Sequence, residues 1–492
     1  MGEDASDTVE NSFAFWQELA GRDAEAAADE LIRRIAAVPE DERRAAVAAT
    51  RAREQLIEEF AAAVKGPTDE TGAVEGSTAE GDSGFGAGVA HSSATRALRG
   101  STAQGDSGFG AGVAHSSATR ALRGVPYLLK DLFDVRGELT GCSSRVLPAV
   151  SGPAAQDGRV KRAMEAAGGV YCGRTQMNEF AYGLDGKNAH FGNCPHPHDP
   201  RRASGGSSSG SAWAVGKGIV PLAFGTDTGG SVRVPASLCG IYGFRRGVDE
   251  WSADGVFPLA PSLDTVGWFT ASAADMASAL RVLWEEDESA AAESRPEDPS
   301  GSRPGLWCLP RNVPIDPALG EAARRCAEEL GAEHDDESEH ALDLLLHDCT
   351  PAYNIIGSSE AYEVHREWFD GYQHLYDPVV WALIERARHW TAEHRAQAWT
   401  LKAAMGLLFE QLLDQYAFVA LPAVPVLTPL HEEIDAAYRT NTLQLSVAAS
   451  LSGLPALTIP LPIDRARSGG LQIVLPAERS SRARSILERS IL

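Results

Sequence analysis

Two glycine-serine clusters and one lysine are the residues of this chain that could perform chemistry. The clusters are GGSSSGS at 205–211 and GTDTGGS at 225–231. Glycine-rich turns expose backbone N–H groups and adopt conformations that are barred to residues with a Cβ. Such turns could hold a negatively charged oxygen, either on a phosphate or on a reaction intermediate. Each cluster taken alone is equally compatible with a flexible surface loop.

The lysine is Lys130, in the apolar segment VPYLLKDLFDVR at 125–136, which we predict to be a strand. A charged ammonium is costly to bury among apolar side chains. One interpretation is therefore a lysine that reaches solvent or pairs with Asp131 or Asp134. Considered with the two serine clusters, the better interpretation is a partly desolvated lysine whose lowered pKa lets it act as a base.

Ordered elements must flank the two clusters if these are to be held in place. Residues 212–220 are predicted to form a short helix, and residues 219–225 a buried strand. Arg233, Pro235 and the apolar segment 238–244 follow the second cluster directly. A disordered linker would not be packed so tightly between apolar segments. We therefore expect both clusters to belong to the folded core.

Together these segments resemble the defining stretch of the amidase signature hydrolases. Members of that family carry a GGSS-type cluster, followed about two dozen residues later by DTGGS, an apolar residue and R-x-P. Here Ser207 and Ser231 are 24 residues apart. Members also carry a lysine in a G-[VI]-P-x-x-x-K-[DE] context, which matches residues 124–131. The resemblance covers residues 124–284 well and residues 417–476 moderately.

The resemblance implies a Ser–Ser–Lys relay in place of a histidine base. Ser231 would be the nucleophile, Ser207 would pass on its proton, and neutral Lys130 would accept it. Ser207 would follow a cis peptide bond. A serine hydroxyl attacks a carbonyl poorly unless its proton is removed in the same step. The usual helper is histidine with aspartate, and neither serine cluster contains a histidine.

The same resemblance assigns the groups that would contact the substrate. The backbone N–H groups across Thr228, Gly229, Gly230 and Ser231 would hold the oxyanion of the tetrahedral intermediate. Met177 lies in a stretch that resembles the family's N-M-[DN]-E-F-A and would line the acyl pocket or support the site.

Other residues are expected to support the site or to shape its pocket. We interpret Asp227 and Arg233 as supports that order the oxyanion loop, and a plain buried ion pair is an equally good interpretation. Asp264 is interpreted as structural rather than catalytic. The candidates for lining the acyl pocket are aromatic: Tyr353, Tyr362, Trp368 and Trp381.

The implied fold is α/β, with a mixed, mostly parallel central sheet flanked by helices. The alternation of predicted strands and helices over 125–284 agrees with this independently. Two or three helices are expected within residues 12–65. The expected organisation is N-terminal helices (1–65), a loop (66–124), the signature core (125–284), variable substrate-pocket helices (305–416), and closing strands with a C-terminal helix (417–492).

The loop contains a tandem repeat of 24 residues, at 76–99 and 100–123, whose copies differ only at Glu80 and Gln104. Two copies are too few for a solenoid. A recent duplication within a flexible, exposed insertion is the simplest account.

Composition and charge exclude several classes of function. The net charge of -24 disfavours direct nucleic-acid binding. The N-terminus lacks the basic start and apolar core of a signal peptide, and no uncharged apolar run reaches the roughly 18 residues needed to span a membrane. Seven cysteines without a C-x-x-C pair favour reduced thiols, so we expect a cytoplasmic protein.

The expected partner is a small amide substrate, and a homodimer is compatible with the sequence.

No metal or cofactor is expected. The spacing of His196 and His198 could suit a metal, but no third and fourth ligands lie in register. His91 and His115 belong to the repeat, and a metal role for them is not expected.

Three other functions compete with hydrolysis by the relay. Residues 206–210 match the G-x-S-x-G elbow of serine hydrolases, with Ser208 as nucleophile. That motif needs a strand just before it, and the preceding segment HPHDPRRAS is not predicted to be one. The glycine-rich segments lack the patterns of nucleotide-binding loops. A scaffold would not need the full set of Lys130, Ser207 and Ser231.

We infer the substrate from the positions at which this sequence differs from one branch of the family. The amidase component of tRNA-dependent amidotransferases usually carries GGSSGGS and a G-L-K-P-T-Y-G-R continuation. This chain has GGSSSGS and GFRRGVD at 243–249, and its DTVGWF at 264–269 looks closer to stand-alone amidases of the plant indole-acetamide type. We therefore expect a free-standing amidase that releases ammonia from a small carboxamide, with aryl or indolyl acetamides as one hypothesis. The glutamine-hydrolysing component of a tRNA-dependent amidotransferase and a non-catalytic homologue remain the alternatives.

Overall fold

A mixed sheet of eleven strands is the element around which the other parts of the chain are arranged. The computed structural model describes residues 11–65, 121–284, 303–477 and 480–490. Nearly all of the tandem repeat and of the predicted loop (66–124) lies outside the described residues. The strands are β1 (Val47–Thr50), β2 (Pro126–Lys130), β3 (Val170–Thr175), β4 (Leu222–Thr226), β5 (Tyr242–Arg245), β6 (Val266–Thr270), β7 (Gly305–Trp307), β8 (Ala332–His334), β9 (Val419–Pro422), β10 (Ala456–Pro462) and β11 (Ser468–Val474).

Helices precede, separate and follow these strands, and short 3₁₀ helices connect some of them, among them Glu179–Ala181 and Arg386–His389. The α-helices are α1 (Phe13–Arg22), α2 (Ala24–Ala36), α3 (Glu40–Ala46), α4 (Arg53–Lys65), α5 (Leu147–Val150), α6 (Arg159–Ala166), α7 (Ser209–Gly216), α8 (Arg233–Cys239), α9 (Ala273–Leu283), α10 (Pro317–Glu329), α11 (Asp336–His365), α12 (Pro378–Glu385), α13 (Ala392–Gln415), α14 (Ala436–Ser452) and α15 (Ser480–Ser490).

The strand order in the sheet is β1-β3-β2-β4-β6-β5-β10-β11-β9-β7-β8. Two groups of strands pair in parallel, namely β3-β2-β4 and β9-β7-β8. The remaining neighbours pair antiparallel. The predicted α/β class, with a large mixed central sheet flanked by helices, is confirmed, although four of the neighbouring pairs are parallel and six are antiparallel, fewer parallel pairs than expected.

Both faces of the sheet are buried, because successive residues of its central strands enter two different apolar clusters. Leu129 and Phe224 belong to the larger cluster, whereas their neighbours Leu128 and Ala223 belong to a second cluster that includes Trp16 of α1. Side chains alternate between the two faces of a strand. Helices therefore cover each face, and the polar groups of the site lie at strand ends rather than on a face.

The N-terminal segment differs from its prediction. Residues 13–65 form four helices and one strand, not only two or three helices. The strand β1 pairs antiparallel with β3, where Val47 lies opposite Thr175. Its sequence VAAT has no strong strand pattern of its own. The strand forms because the edge of β3 offers backbone groups that need partners.

Two further elements were not expected. The strand β8 lies within residues 305–416, where we expected a strand from Gly305 and then only helices, and it pairs with β7. The helix α14 separates β9 from β10 in the segment 417–476, which we expected to contain strands. None of the described helices combines the length and apolarity needed to cross a bilayer. All seven cysteines lie in the described parts of the chain as free thiols.

Candidate active site

Lys130 and Thr226 are brought together because each ends a strand of the same parallel pair. The strands β2 and β4 are parallel neighbours, so their carboxyl ends lie at one edge of the sheet. Lys130 has no solvent exposure. Its Nζ donates to Ser207 Oγ at 2.8 Å and to Thr226 Oγ1 at 2.9 Å. Thr226 was not predicted as a site residue, since its contact with Lys130 depends on which strands are neighbours.

The environment of Lys130 favours the neutral amine. Burial disfavours the ammonium form and lowers the pKa of Lys130 to about 7, against partial opposition from the carboxyl groups of Asp264 and Asp227. A substantial fraction of the side chain is therefore deprotonated near neutral pH, and the amine can accept a proton.

Ser207 is held in a turn of small residues at the start of α7. The peptide bond between Gly206 and Ser207 is cis, as predicted. The carbonyl of Ser207 accepts from Asn178 N at 3.2 Å. A Cβ at Gly206 would lie 2.1 Å from Asn178 Oδ1, so only glycine fits beside that amide. The turn thereby fixes Ser207 Oγ against Lys130.

Ser231 lies beside Ser207 with its hydroxyl unengaged. The Ser208 N–H donates to the Ser231 carbonyl at 3.3 Å, which ties the two serine clusters together. Among the described residues, no hydrogen bond joins the hydroxyls of Ser207 and Ser231, and Ser231 Oγ has no other partner. Ser231 is 3% exposed. The side chain is therefore almost fully buried, and its hydroxyl is not used by the fold.

Ser208, the alternative nucleophile, is engaged in a different way. Its hydroxyl donates to the Thr226 carbonyl at 3.2 Å and accepts from Thr226 N at 3.3 Å. The side chain therefore fastens the first cluster to the end of β4, in a position unlike that of an exposed elbow serine.

The carboxylate of Asp227 organises the end of the second cluster and the two residues that follow it by accepting three backbone hydrogen bonds. Gly230 N donates at 2.9 Å, Val232 N at 3.0 Å and Arg233 N at 3.3 Å. The Gly230 N–H, expected among the oxyanion donors, is thus directed to Asp227. In the described part of the chain, the N–H groups of Thr228, Gly229 and Ser231 have no hydrogen-bond partner.

Two guanidinium groups hold Asp227 in its charged form. Arg233 donates from Nη2 to Oδ1 at 2.7 Å and from Nε to Oδ2 at 3.0 Å, and Arg245 Nη1 reaches Oδ1 at 3.0 Å. All three side chains are fully buried. Burial by itself would raise the pKa of Asp227, but the two guanidinium groups outweigh it and hold that pKa well below its usual range. Arg245 ends β5 and was missed, because no local spacing in the sequence relates it to Asp227.

Asp264 supports the other end of the oxyanion loop. Thr228 Oγ1 donates to its Oδ1 at 2.5 Å, and the N–H groups of Leu259 and Ala260 donate to its Oδ2 at 2.9 and 3.0 Å. Burial raises the pKa of Asp264 while these hydrogen bonds oppose the shift. The contact with Thr228 orients the backbone at the start of the loop.

The residues predicted to line the acyl pocket come from segments that are distant in sequence. Met177 is buried, and its N–H donates to Ser143 Oγ at 3.1 Å. Of the four aromatic candidates, Tyr353 on α11 lies against the oxyanion loop, since a Cβ at Gly229 would be 2.5 Å from its Oη.

The other three aromatic candidates have different neighbours. Trp381 stacks on Phe369 with ring centroids 5.2 Å apart, and Tyr362 packs on the same ring at 5.6 Å. Trp368 packs near the ring of His365 at 5.8 Å. These rings form an aromatic cluster in the variable half, and only Tyr353 among the four touches the oxyanion loop.

His196 has a structural role. Its Nε2 lies 3.1 Å from the Leu238 carbonyl, and Nδ1 accepts from the N–H groups of His198 and Asp199, both at 3.3 Å. Both ring nitrogens are therefore used in anchoring the loop that precedes the first serine cluster.

Known proteins resemble this chain over most of its length. The family model described as Amidase matches residues 107–476. Amidase 1 of Arabidopsis thaliana is 30% identical over 362 residues, which cover 68% of this chain and 85% of that protein. Amidase 1 of Oryza sativa subsp. japonica is 44% identical over 157 residues, but this match spans only 36% of that protein and 32% of this chain.

Two further comparisons extend the similarity. A component of the glutamyl-tRNA(Gln) amidotransferase of Chromohalobacter salexigens is 31% identical over 391 residues, covering 72% of this chain and 79% of that protein. A solved structure described as a crystal structure of amidase agrees in fold, with a TM-score of 0.74 at 24% identity, over 98% of this chain and 100% of that one. The match to the family model over most of the chain identifies it as a member of the amidase family of amide-hydrolysing enzymes.

Proposed function

We propose that this enzyme hydrolyses a small carboxamide to a carboxylate and ammonia through an acyl-enzyme on Ser231, with Ser207 and Lys130 as the proton relay. One observation carries the proposal: the buried Lys130 amine, with a pKa of about 7, lies 2.8 Å from Ser207 Oγ. A general base works best when its pKa lies near the operating pH.

In the proposed first step, neutral Lys130 takes the proton of Ser207 as Ser207 takes the proton of Ser231. Ser231 Oγ attacks the amide carbonyl, and the carbonyl oxygen becomes an oxyanion. The N–H groups of Thr228, Gly229 and Ser231, which have no partner among the described residues, are the candidate donors to that oxygen. A single donor of this kind is worth about 3–4 kcal/mol to the transition state in a comparable hydrolase.

The remaining steps return the protons. The tetrahedral intermediate collapses as the relay protonates the departing nitrogen, and ammonia leaves. Water then attacks the ester of Ser231, with the same relay accepting its proton, and releases the carboxylate. The relay needs a hydrogen bond from Ser231 Oγ to Ser207 Oγ, which rotation about the Cα–Cβ bond of Ser231 could make when substrate is bound, since catalytic hydrogen bonds often tighten only in the complex.

We assign the acyl pocket to the variable half of the chain, because Tyr353 of α11 reaches the loop at Gly229.

We also propose a cytoplasmic location, supported by the seven free thiols. A homodimer remains a proposal that the mass of the native protein would test.

The second candidate is the glutamine-hydrolysing component of an amidotransferase. It is favoured by the 31% identity to such a component. It is disfavoured by the sequence GFRRGVD at 243–249, which differs from the G-L-K-P-T-Y-G-R continuation usual in that branch. Ammonia release from a panel of aliphatic and aryl carboxamides and from glutamine, by the chain alone and with added partner proteins of an amidotransferase, separates the two. Turnover of simple carboxamides by the chain alone supports the first candidate. Glutaminase activity that depends on the added proteins would replace it with the second.

A further inference from the structure

Arg386 is a half-buried cation that faces only neutral groups. It follows α12 and begins the 3₁₀ helix Arg386–His389. Its Nε donates to the Leu383 carbonyl at 3.2 Å, and its Nη2 makes long contacts with Tyr182 Oη at 3.4 Å and Asn354 Oδ1 at 3.5 Å. No aspartate or glutamate of the described residues pairs with it, and its Nη1 has no hydrogen-bond partner there.

This arrangement is unusual for the arginines near the site. The buried Arg233 and Arg245 both pair with Asp227, and Arg388, two residues after Arg386, pairs with Asp370. The chain has 68 acidic residues against 44 lysines and arginines, so carboxylates are plentiful. A partly desolvated guanidinium is costly without an anion. Arg386 is therefore a cation that no carboxylate of the described residues neutralises, and an anionic ligand is the group that would complement its charge.

The position of Arg386 relates it to the acyl side of the site. Tyr182 closely follows the segment that contains Met177, and Asn354 is the neighbour of Tyr353 on α11. Tyr353 in turn lies against Gly229 of the oxyanion loop. Burial raises the pKa of Tyr182 while Arg386 opposes the shift. The phenol therefore stays neutral and does not neutralise the guanidinium.

We propose, on the basis of the amidase function proposed above, that Arg386 binds a carboxylate on the acyl group of the substrate. The substrate class would be the monoamides of short dicarboxylic acids rather than neutral aryl acetamides. A guanidinium presents its N–H groups as a planar fork that matches a carboxylate. Nη2, which now contacts two neutral acceptors, and Nη1, which has no hydrogen-bond partner among the described residues, would each donate to one oxygen of the carboxylate.

Matched substrates test this assignment. Succinamate and 4-methylpentanamide have the same length up to the terminal group, which is a carboxylate in the first and an uncharged isopropyl group in the second. The wild type is expected to have the higher kcat/KM for succinamate and to use it better than phenylacetamide. In Arg386→Met the ratio of kcat/KM for succinamate to that for 4-methylpentanamide should fall about 10- to 100-fold, mainly through KM.

Arg388→Met is the matched control, because Arg388 lies on the same short helix but is already paired with Asp370. This variant should keep the wild-type ratio. A wild type that prefers the uncharged amides, or an Arg386→Met variant that keeps the preference for succinamate, would overturn the proposal.

Binding of succinate, measured by calorimetry, separates this proposal from the one on which it rests. Should the wild type release no ammonia from any amide, the amidase proposal fails, but the anion site is still tested. Succinate binding that is lost in Arg386→Met and kept in Arg388→Met supports the site. Absence of succinate binding to the wild type, or equal binding by both variants, contradicts it.

Discussion

Lys130 Nζ lies 2.8 Å from Ser207 Oγ, and the fold leaves this lysine without contact with solvent. The two residues are 77 positions apart in the chain. They meet because β2 delivers the lysine to the sheet edge at which the turn before α7 begins. Burial lowers the pKa of this lysine, and its proximity to Ser207 places the amine where it could accept the serine proton. Lys130 is therefore a candidate base, and this role has measurable consequences.

The activity should rise with pH through about 7. Burial lowers the pKa of Lys130 from 10.5 to about 7, so below that pH the side chain is an ammonium that cannot accept a proton. On the acid side, kcat/KM should fall about tenfold per pH unit. A pH profile of ammonia release measures this. A flat profile across the neutral range, or a Lys130→Ala variant with wild-type turnover, would show that another group is the base.

The two adjacent serines should respond differently to truncation. Ser207→Ala breaks the relay and should lower kcat by about 10³-fold or more. Ser208→Ala removes only the contacts with the Thr226 backbone and should leave kcat within about tenfold of wild type, with some loss of stability. Steady-state kinetics and thermal melting of both variants give the comparison. The reverse order of effects would favour the elbow-type mechanism with Ser208 as nucleophile.

Asp227 should be a large contributor to stability. Asp227→Ala leaves two fully buried guanidinium groups without their carboxylate, which should lower the free energy of unfolding by about 3–5 kcal/mol. Glu18→Ala is the control, because Glu18 pairs with Arg22 on the surface and should cost less than about 1 kcal/mol. Urea denaturation measures both. Equal losses in the two variants would mean that Asp227 is not the anchor of the loop.

Gly229→Ala should damage the oxyanion loop through Tyr353. The added Cβ would lie 2.5 Å from Tyr353 Oη and Cζ, so either the loop or the ring must move. Displacement of one N–H donor should lower kcat by about 10²- to 10³-fold. Adding Tyr353→Ala makes room for the methyl group and should restore part of the loss relative to Gly229→Ala alone. Wild-type kcat in Gly229→Ala would show that this N–H has no role in the reaction.

The sequence was informative where a chemical role is carried by contiguous residues. The clusters around Ser207 and Ser231, and the apolar strand around Lys130, are local patterns, so these residues could be named before the fold was known. The loss of solvent around Lys130 also followed from its apolar neighbours.

Contacts between distant segments could not be predicted in this way. Arg245 reaches Asp227 because the register of β5 places it there, and Thr226 meets Lys130 because β4 is the neighbour of β2. The short strands β1 and β8 form on the edges of an existing sheet, from sequences with little strand preference. The cation at Arg386 becomes notable only when its neighbours in space are seen to be neutral.

Covalent labelling tests the central claim most directly. A serine-reactive sulfonyl fluoride should form one sulfonyl ester, with loss of fluoride, and peptide mass spectrometry should locate it on Ser231. The adduct should be absent from Ser231→Ala and should form far more slowly in Lys130→Ala. An adduct on Ser208, or amide hydrolysis that persists at the wild-type rate in Ser231→Ala, would contradict the assignment of Ser231 as the nucleophile.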